Sequence, residues 1–375
     1  MTHRKQQTFL SFTLLAASLV LPAMAQPNKP GITVIDAPGA AMVSSPACAG
    51  SCGTTAYAMN DLGDVVGSYT DAKVVPHGFL RHADGKFISF DAPGAGLGAG
   101  LDQGTYAMSI NDLGVIAGLL QDPSNVFHAF VHDFYGFFTT FDAPGAGTGA
   151  YQGTQAFSIN LEGATTGFYI DGNNVAHGFA RSPFGAIKSF DPTGSVYTHP
   201  CEETCINFEG SIAGFYADAN STVHGFVRDP EGKITTFDAP GAGTGGYNGT
   251  YAASINPEST IAGYFTDSSG MAHGFVRYPN GYFTTFSDPD AAASGLGTAP
   301  FSINAEGATA GEYFDASNIM HGFERGPDGK FTTINAPNAV GGTRPTMNNW
   351  TGAVTGYFFD ANNVIHGFLW NPPWP

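Results

Sequence analysis

Three features of the sequence predict an all-β fold. A four-strand unit recurs seven times, its marker residues keep one spacing throughout, and a lone strand near the N-terminus has no unit in front of it. Together they specify a seven-bladed β-propeller with four antiparallel strands per blade. The N-terminal strand completes the last blade and closes the ring, which removes the sticky edges an open stack would leave.

The elements follow in chain order. Residues 1–25, "MTHRKQQTFLSFTLLAASLVLPAMA", have a basic start (Arg4, Lys5), a short apolar run and an Ala-Met-Ala end. This is the pattern of a secretory signal peptide, so a soluble, secreted or periplasmic product is expected, with residues 26–375 as one propeller domain. Residues 32–38, "ITVIDAP", read as the closing fourth strand, because the final unit ends at "HGFLWNPPWP" without one.

Between these ends lie seven copies of one pattern. Marker asparagines stand at Asn60, Asn111, Asn160, Asn207, Asn256, Asn304 and Asn349, each followed seven residues later by a glycine. Four residues beyond the glycine comes Asp71, Asp122, Asp171, Asp218, Asp267, Asp315 or Asp360. Six further on comes His77, His128, His177, His224, His273, His321 or His366. An active site needs one constellation, whereas seven identical copies describe a blade-building device. The Asp is expected to cap the turn after strand two, and the His to hold that turn or pack between blades. Six of these turns begin like calcium loops, but the glycine at position six and the glutamate at position twelve are missing. No cofactor is expected, with calcium at most a loosely held ion at the acidic rim.

Charge narrows the partners. The first 25 residues carry two of the 14 basic residues and none of the 31 acidic ones. So acidic a mature surface repels nucleic acid and anionic membrane, and no apolar segment is long enough to span a bilayer. A monomer is expected. The four cysteines, in "CAGSC" and "CEETC", point in an exported chain to disulfides, with three pairings open and the local Cys48–Cys52 and Cys201–Cys205 expected ahead of a four-thiolate zinc site.

All length variation falls between the Asp of "DAP", or its equivalent, and the next marker Asn, a gap of 14 to 24 residues. In a propeller this connection crosses the mouth of the central channel, so local function is expected on that rim. Candidate ligand-binding residues there are Thr105, Thr154 and Thr250 of the recurring Gly-Thr, and the matched Tyr151 and Tyr247, suited to stacking on a sugar. Blade four breaks the pattern, with "HPCEETC" in place of Gly-Thr, and adds His199, Glu202 and Glu203. No nucleophile elbow, zinc-protease helix, phosphate loop or dinucleotide fingerprint occurs, so no catalytic residue is assigned.

The recurring "HGF" (with "HAF" at 128–130), followed by strands such as "FTTFDAPGAG", resembles the HAF-repeat extracellular proteins. The resemblance implies export and a repeat architecture. It carries no established reaction and hence no catalytic residues. The expected function is a binding or interaction module that uses the rim to hold an extracellular polymer, glycan or protein. The alternative is a hydrolase or lyase acting on a polysaccharide or lactone at the channel mouth.

Overall fold

The computed structural model describes residues 31–43, 52–98, 103–200, 204–292 and 296–373. The expected signal peptide lies outside them, as do Cys48, Cys201, Glu202 and Glu203. Among the described residues there are 28 strands and no helix. They pair in order as antiparallel meanders. In unit one, Gly53–Met59 pairs with Val65–Thr70, that strand with Pro76–Arg81, and that in turn with Phe87–Phe90. Parallel bridges such as Gly53↔Ile365, Gly153↔Phe127 and Gly249↔Val223 join the first strand of a unit to the third strand of the one before. The meanders thereby merge into three eight-stranded sheets and one four-stranded sheet.

The last meander ends at Ile365–Asn371, and its fourth strand is Gly31–Ile35, antiparallel to it from Gly31↔Asn371 to Ile35↔Gly367. Ile35 is buried there and Ile32 packs at the edge of the same apolar region as Trp370. Val34 faces out, half-exposed, so it adds less to this seam than an alternating strand with a covered outer face would.

Repetition in sequence becomes repetition in packing. The phenylalanine of each "HGF" or "HAF" (Phe79, Phe130, Phe179, Phe226, Phe275, Phe323, Phe368) is wholly buried. The marker glycine is required by close approach: a Cβ at Gly67 would lie 2.0 Å from the Thr55 carbonyl oxygen. Two bulky strands could not otherwise pass each other where the first strand bulges, between Ala56 and Ala58.

The marker asparagines link the units. Each Oδ1 caps its own turn, as when Asn256 Oδ1 accepts from Thr260 N at 2.9 Å. Each Nδ2 from Asn60 to Asn304 donates to the main-chain oxygen of the next marker, at 2.8 to 3.4 Å. Between the last unit and the first, Trp350 N donates to Asp61 Oδ1 at 3.0 Å and Thr346 Oγ1 to the Ala56 carbonyl at 3.3 Å. A buried side-chain amide that satisfies both its own turn and its neighbour's leaves no polar group stranded at the seam.

Candidate ligand site

Each repeated histidine sits between two other side chains. Nδ1 bonds the residue fourteen positions on, at the end of the fourth strand: His77 to Asp91 at 2.7 Å, His177 to Asp191 at 2.7 Å, His224 to Asp238 at 2.8 Å. In the last unit the partner is Asp36 of the N-terminal strand, at 2.8 Å. Nε2 faces the turn aspartate at 3.2 to 3.7 Å. That aspartate accepts two backbone N–H groups, as Asp171 does from Asn173 and Val175. The histidine was expected to hold the turn or pack between blades; it faces the turn and also fastens strand three to the end of strand four. In six units the ring stacks on the strand-two aromatic, for example Tyr169 over His177, and in unit two Leu120 takes that place.

The bond to Asp91 raises the His77 imidazole above its ordinary 6.5, against the opposing effect of burial. A group whose folded value is raised contributes stability that is complete below about pH 6.5 and disappears as pH climbs through the raised value. The stability difference between the native chain and His77→Gln is therefore expected to be larger at pH 5.5 than at pH 8.5. Denaturation midpoints at the two pH values check this, and a pH-independent difference would count against the clamp.

The threonine hydroxyls are engaged within the scaffold. Oγ1 of Thr54, Thr105, Thr154, Thr250, Thr298 and Thr343 each accepts a backbone N–H from the preceding "DAP" segment or its equivalent, at 2.8 to 2.9 Å. All are buried. Thr105, Thr154 and Thr250 are thus staples that pin the long connection to the scaffold. Thr154→Ala would strand the Ala143 N–H and is expected to cost about 1–3 kcal/mol with ligand binding unchanged. Urea denaturation beside a binding titration tests both halves.

Unit four keeps the threonine's place but not its staple: Pro192, which stands where the other units have the donating residue, has no N–H, and Thr198 Oγ1 donates to Ser195 Oγ at 3.3 Å instead. Thr198 pairs with Tyr216 just as Thr154 pairs with Tyr169, so it stands where the other units have their threonine. The expected break in symmetry thus begins at the "DPT" of 191–193 and continues further along, where the other first strands bulge by one residue and unit four has its "CEETC" insertion. Beyond that insertion the Thr204 carbonyl accepts from Ile255 N at 2.9 Å, and Cys205 N donates to Ser158 Oγ at 3.1 Å, which ties it to both neighbouring units. Cys52 and Cys205 are wholly buried and neither is a free thiol. Among the described residues no group of three or more His, Cys, Asp or Glu is placed to hold a metal ion.

Two neighbouring positions escape the repetition. The residue after each threonine is Thr55, Tyr106, Gln155, His199, Tyr251, Ala299 or Arg344. Directly across the ladder, the residue after each marker glycine is Ser68, Leu119, Phe168, Phe215, Tyr264, Glu312 or Tyr357. From unit three onward these side chains, joined by Phe157 and Phe301 from two residues further along their first strands, form a continuous arc. Ring centroids lie 5.4 Å apart for Phe157–Phe168, 4.4 Å for Phe168–His199 and 5.1 Å for His199–Phe215. The arc continues at 5.0 Å for Phe215–Tyr251, 4.7 Å for Tyr251–Tyr264 and 6.4 Å for Tyr264–Phe301. Arg344 ends it, its guanidinium carbon 4.7 Å above the Phe301 ring.

Beside Arg344 lies Glu312, opposite the small Ala299, which leaves room for it. Its carboxylate is 3.6 Å from Arg344 Nε, and burial pushes its pKa up although Arg344 opposes the shift. At the other end of the scale of exposure, Tyr151 and Tyr247 project from the rim loops, each with φ of 64°. Each donates its N–H to the preceding unit's turn, to Asn125 O and Ser221 O, at 2.7 Å. The Tyr247 carbonyl accepts the Tyr251 hydroxyl at 2.6 Å, which joins rim to arc. His199 is buried among aromatic rings, while Glu202 and Glu203, expected to act with it, lie outside the described residues. The arc escaped sequence reading because that reading followed invariant positions, while the signal lay in two positions that refuse to repeat.

No family model matches the chain, and no curated protein matches its sequence. Solved structures with a similar fold include virginiamycin B lyase from Staphylococcus aureus, at 13% identity and a TM-score of 0.53 over 90% of this chain and 99% of that one. A lectin from Burkholderia pseudomallei aligns at 8% identity and a TM-score of 0.52, covering 83% and 94%. Puromycin hydrolase aligns at 12% identity and a TM-score of 0.55, covering 87% of this chain but 54% of that one. Identities this low establish a likeness of fold: an all-β chain of repeated four-stranded sheets in the manner of β-propellers.

Proposed function

We propose that the chain is a secreted, closed seven-bladed β-propeller that binds an extracellular glycan or other polymer in the mouth of its central channel. Closure is supported by the pairing of Gly31–Ile35 with Ile365–Asn371 and by the hydrogen bonds between the last unit and the first. In a closed ring the first strands line the channel, and the arc from Phe157 to Arg344 lies along its wall. One observation carries the binding reading: a scaffold whose core positions repeat places a different pair of side chains from each unit at this wall. Symmetric positions offer one shallow contact seven times over, whereas a specific ligand needs distinct groups converging. Tyr251, Tyr264 and Phe215 are only half-buried, and Tyr247 stands above them at the rim. Aromatic faces beside an arginine and tyrosine hydroxyls suit a sugar, and a lectin shares the fold.

A glycan array probed with the mature protein, with calcium and with chelator, tests the reading. Tyr251→Ala is expected to weaken binding of the best glycan about tenfold, or about 1.4 kcal/mol. Binding indifferent to both Tyr251→Ala and Arg344→Ala would move the site elsewhere. A second reading, an extracellular lyase or hydrolase, is favoured by Glu312, a buried carboxylate with a raised pKa beside an arginine, as a general acid requires. Glu312→Gln then separates the two, since it would spare binding and abolish turnover of a bound polymer.

A further inference from the structure

The opposite face carries a different chemistry. It is built by the turns between strands one and two and between strands three and four. In unit order seven, one, two, three and four, the first of these turns present Trp350, Leu62, Leu113, Leu161 and Phe208, all between 40 and 61% exposed. Hydrogen bonds tie the turns in that order. Trp350 N reaches Asp61 Oδ1 and Asp61 N reaches Asp112 Oδ1, while Asn111 Nδ2 reaches the Leu161 carbonyl and Asn160 Nδ2 the Phe208 carbonyl. The five apolar side chains thus stand on adjacent turns as one arc.

Folding does not demand them. The same turns in units five and six carry Pro257-Glu258 and Ala305-Glu306 and keep the same backbone bonds, Ser259 N to Asn256 O and Gly307 N to Asn304 O at 3.0 Å. A contiguous run of exposed Leu, Phe and Trp on turns that accept polar residues marks an interaction surface. Its fringe is acidic: Asp112, Glu162 and Glu209 sit beside Leu113, Leu161 and Phe208, all exposed. A chain with 31 acidic residues against 14 basic ones repels its own copies and anionic bilayers alike.

We propose that this apolar, acid-fringed arc docks a cationic amphipathic segment of a partner protein, whose apolar side chains cover Leu62, Leu113 and Trp350 while its Lys or Arg residues meet Glu162 and Glu209. The arrangement is independent of the channel site on the other face.

Trp350 supplies a local probe when read by difference against Trp350→Phe, which keeps both Trp374 and the buried Trp370. The mature protein is titrated with a synthetic Leu–Lys amphipathic peptide of about 14 residues while tryptophan emission is followed, with Trp350→Phe as the blank. A saturable blue shift that Trp350→Phe lacks is expected, weakened at least tenfold in Leu62→Ser/Leu113→Ser/Leu161→Ser and by raising salt from about 0.05 to 0.5 M. These substitutions are on exposed turns, and far-ultraviolet circular dichroism confirms that the variant is folded. The proposal is overturned by equal binding of the Leu–Glu counterpart or by binding that the triple variant retains. A shift produced by zwitterionic vesicles or by protein concentration alone, without peptide, overturns it in favour of a bilayer or a second copy.

Discussion

Deleting residues 26–40 from the mature chain is expected to lower its stability by about 3 kcal/mol or more and to turn a monomer into an associating species. Burial of Ile35 alone contributes about 1.5–3 kcal/mol, and Ile32 adds part of that again. The deletion also removes the five-residue ladder to Ile365–Asn371, the Asp36 bond to His366 and the Ala37 N–H bond to Thr54 Oγ1. What remains is an open strand with unpaired backbone groups, a template for intermolecular pairing. Urea denaturation and sedimentation velocity read the two effects, and an unchanged midpoint in a monomeric truncation would remove the closing role of this strand.

Substituting Asn304 is expected to be nearly as damaging. Its Nδ2 donates to the Asn349 carbonyl at 2.8 Å and its Oδ1 accepts from Ala308 N at 2.9 Å, at a buried position. Alanine strands two polar groups, at about 1–3 kcal/mol each. Aspartate is isosteric and keeps the turn bond, yet it aims a buried carboxylate at a carbonyl, and it is expected to cost at least as much. Denaturation midpoints of Asn304→Ala and Asn304→Asp check the order. If aspartate were tolerated as well as asparagine, the amide chain would be a by-product of the turns and not a link between units.

The repeat was legible because its residues answer to local demands. A glycine that must let a carbonyl pass, an aspartate that caps a turn and a phenylalanine that fills each core are dictated by the chain within a few residues. The lone N-terminal strand was legible for a related reason, since a unit without its fourth strand must find one. Tyr251, Glu312 and Arg344 were not legible, because which side chains of neighbouring units meet depends on how the units are set side by side. The threonines misled for the same reason. A hydroxyl at the start of a strand reads as accessible until the preceding loop is seen to bury it. Thr198 was hidden by three inserted residues that shift its distance from Asn207 but not its place in the ladder.

The seam between Gly31–Ile35 and Ile365–Asn371 also sets the order of events as the chain folds. Its partners are separated by nearly the whole sequence, so the strand made first finds its place only after the last unit has emerged. Contacts of such long range are slow to form, because loop-closure entropy is lost before any pairing offsets it. Until then the terminal unit stays one strand short, and a truncated or stalled chain has no way to finish. Completion of synthesis thus becomes a condition for a finished fold, a check on integrity written into topology.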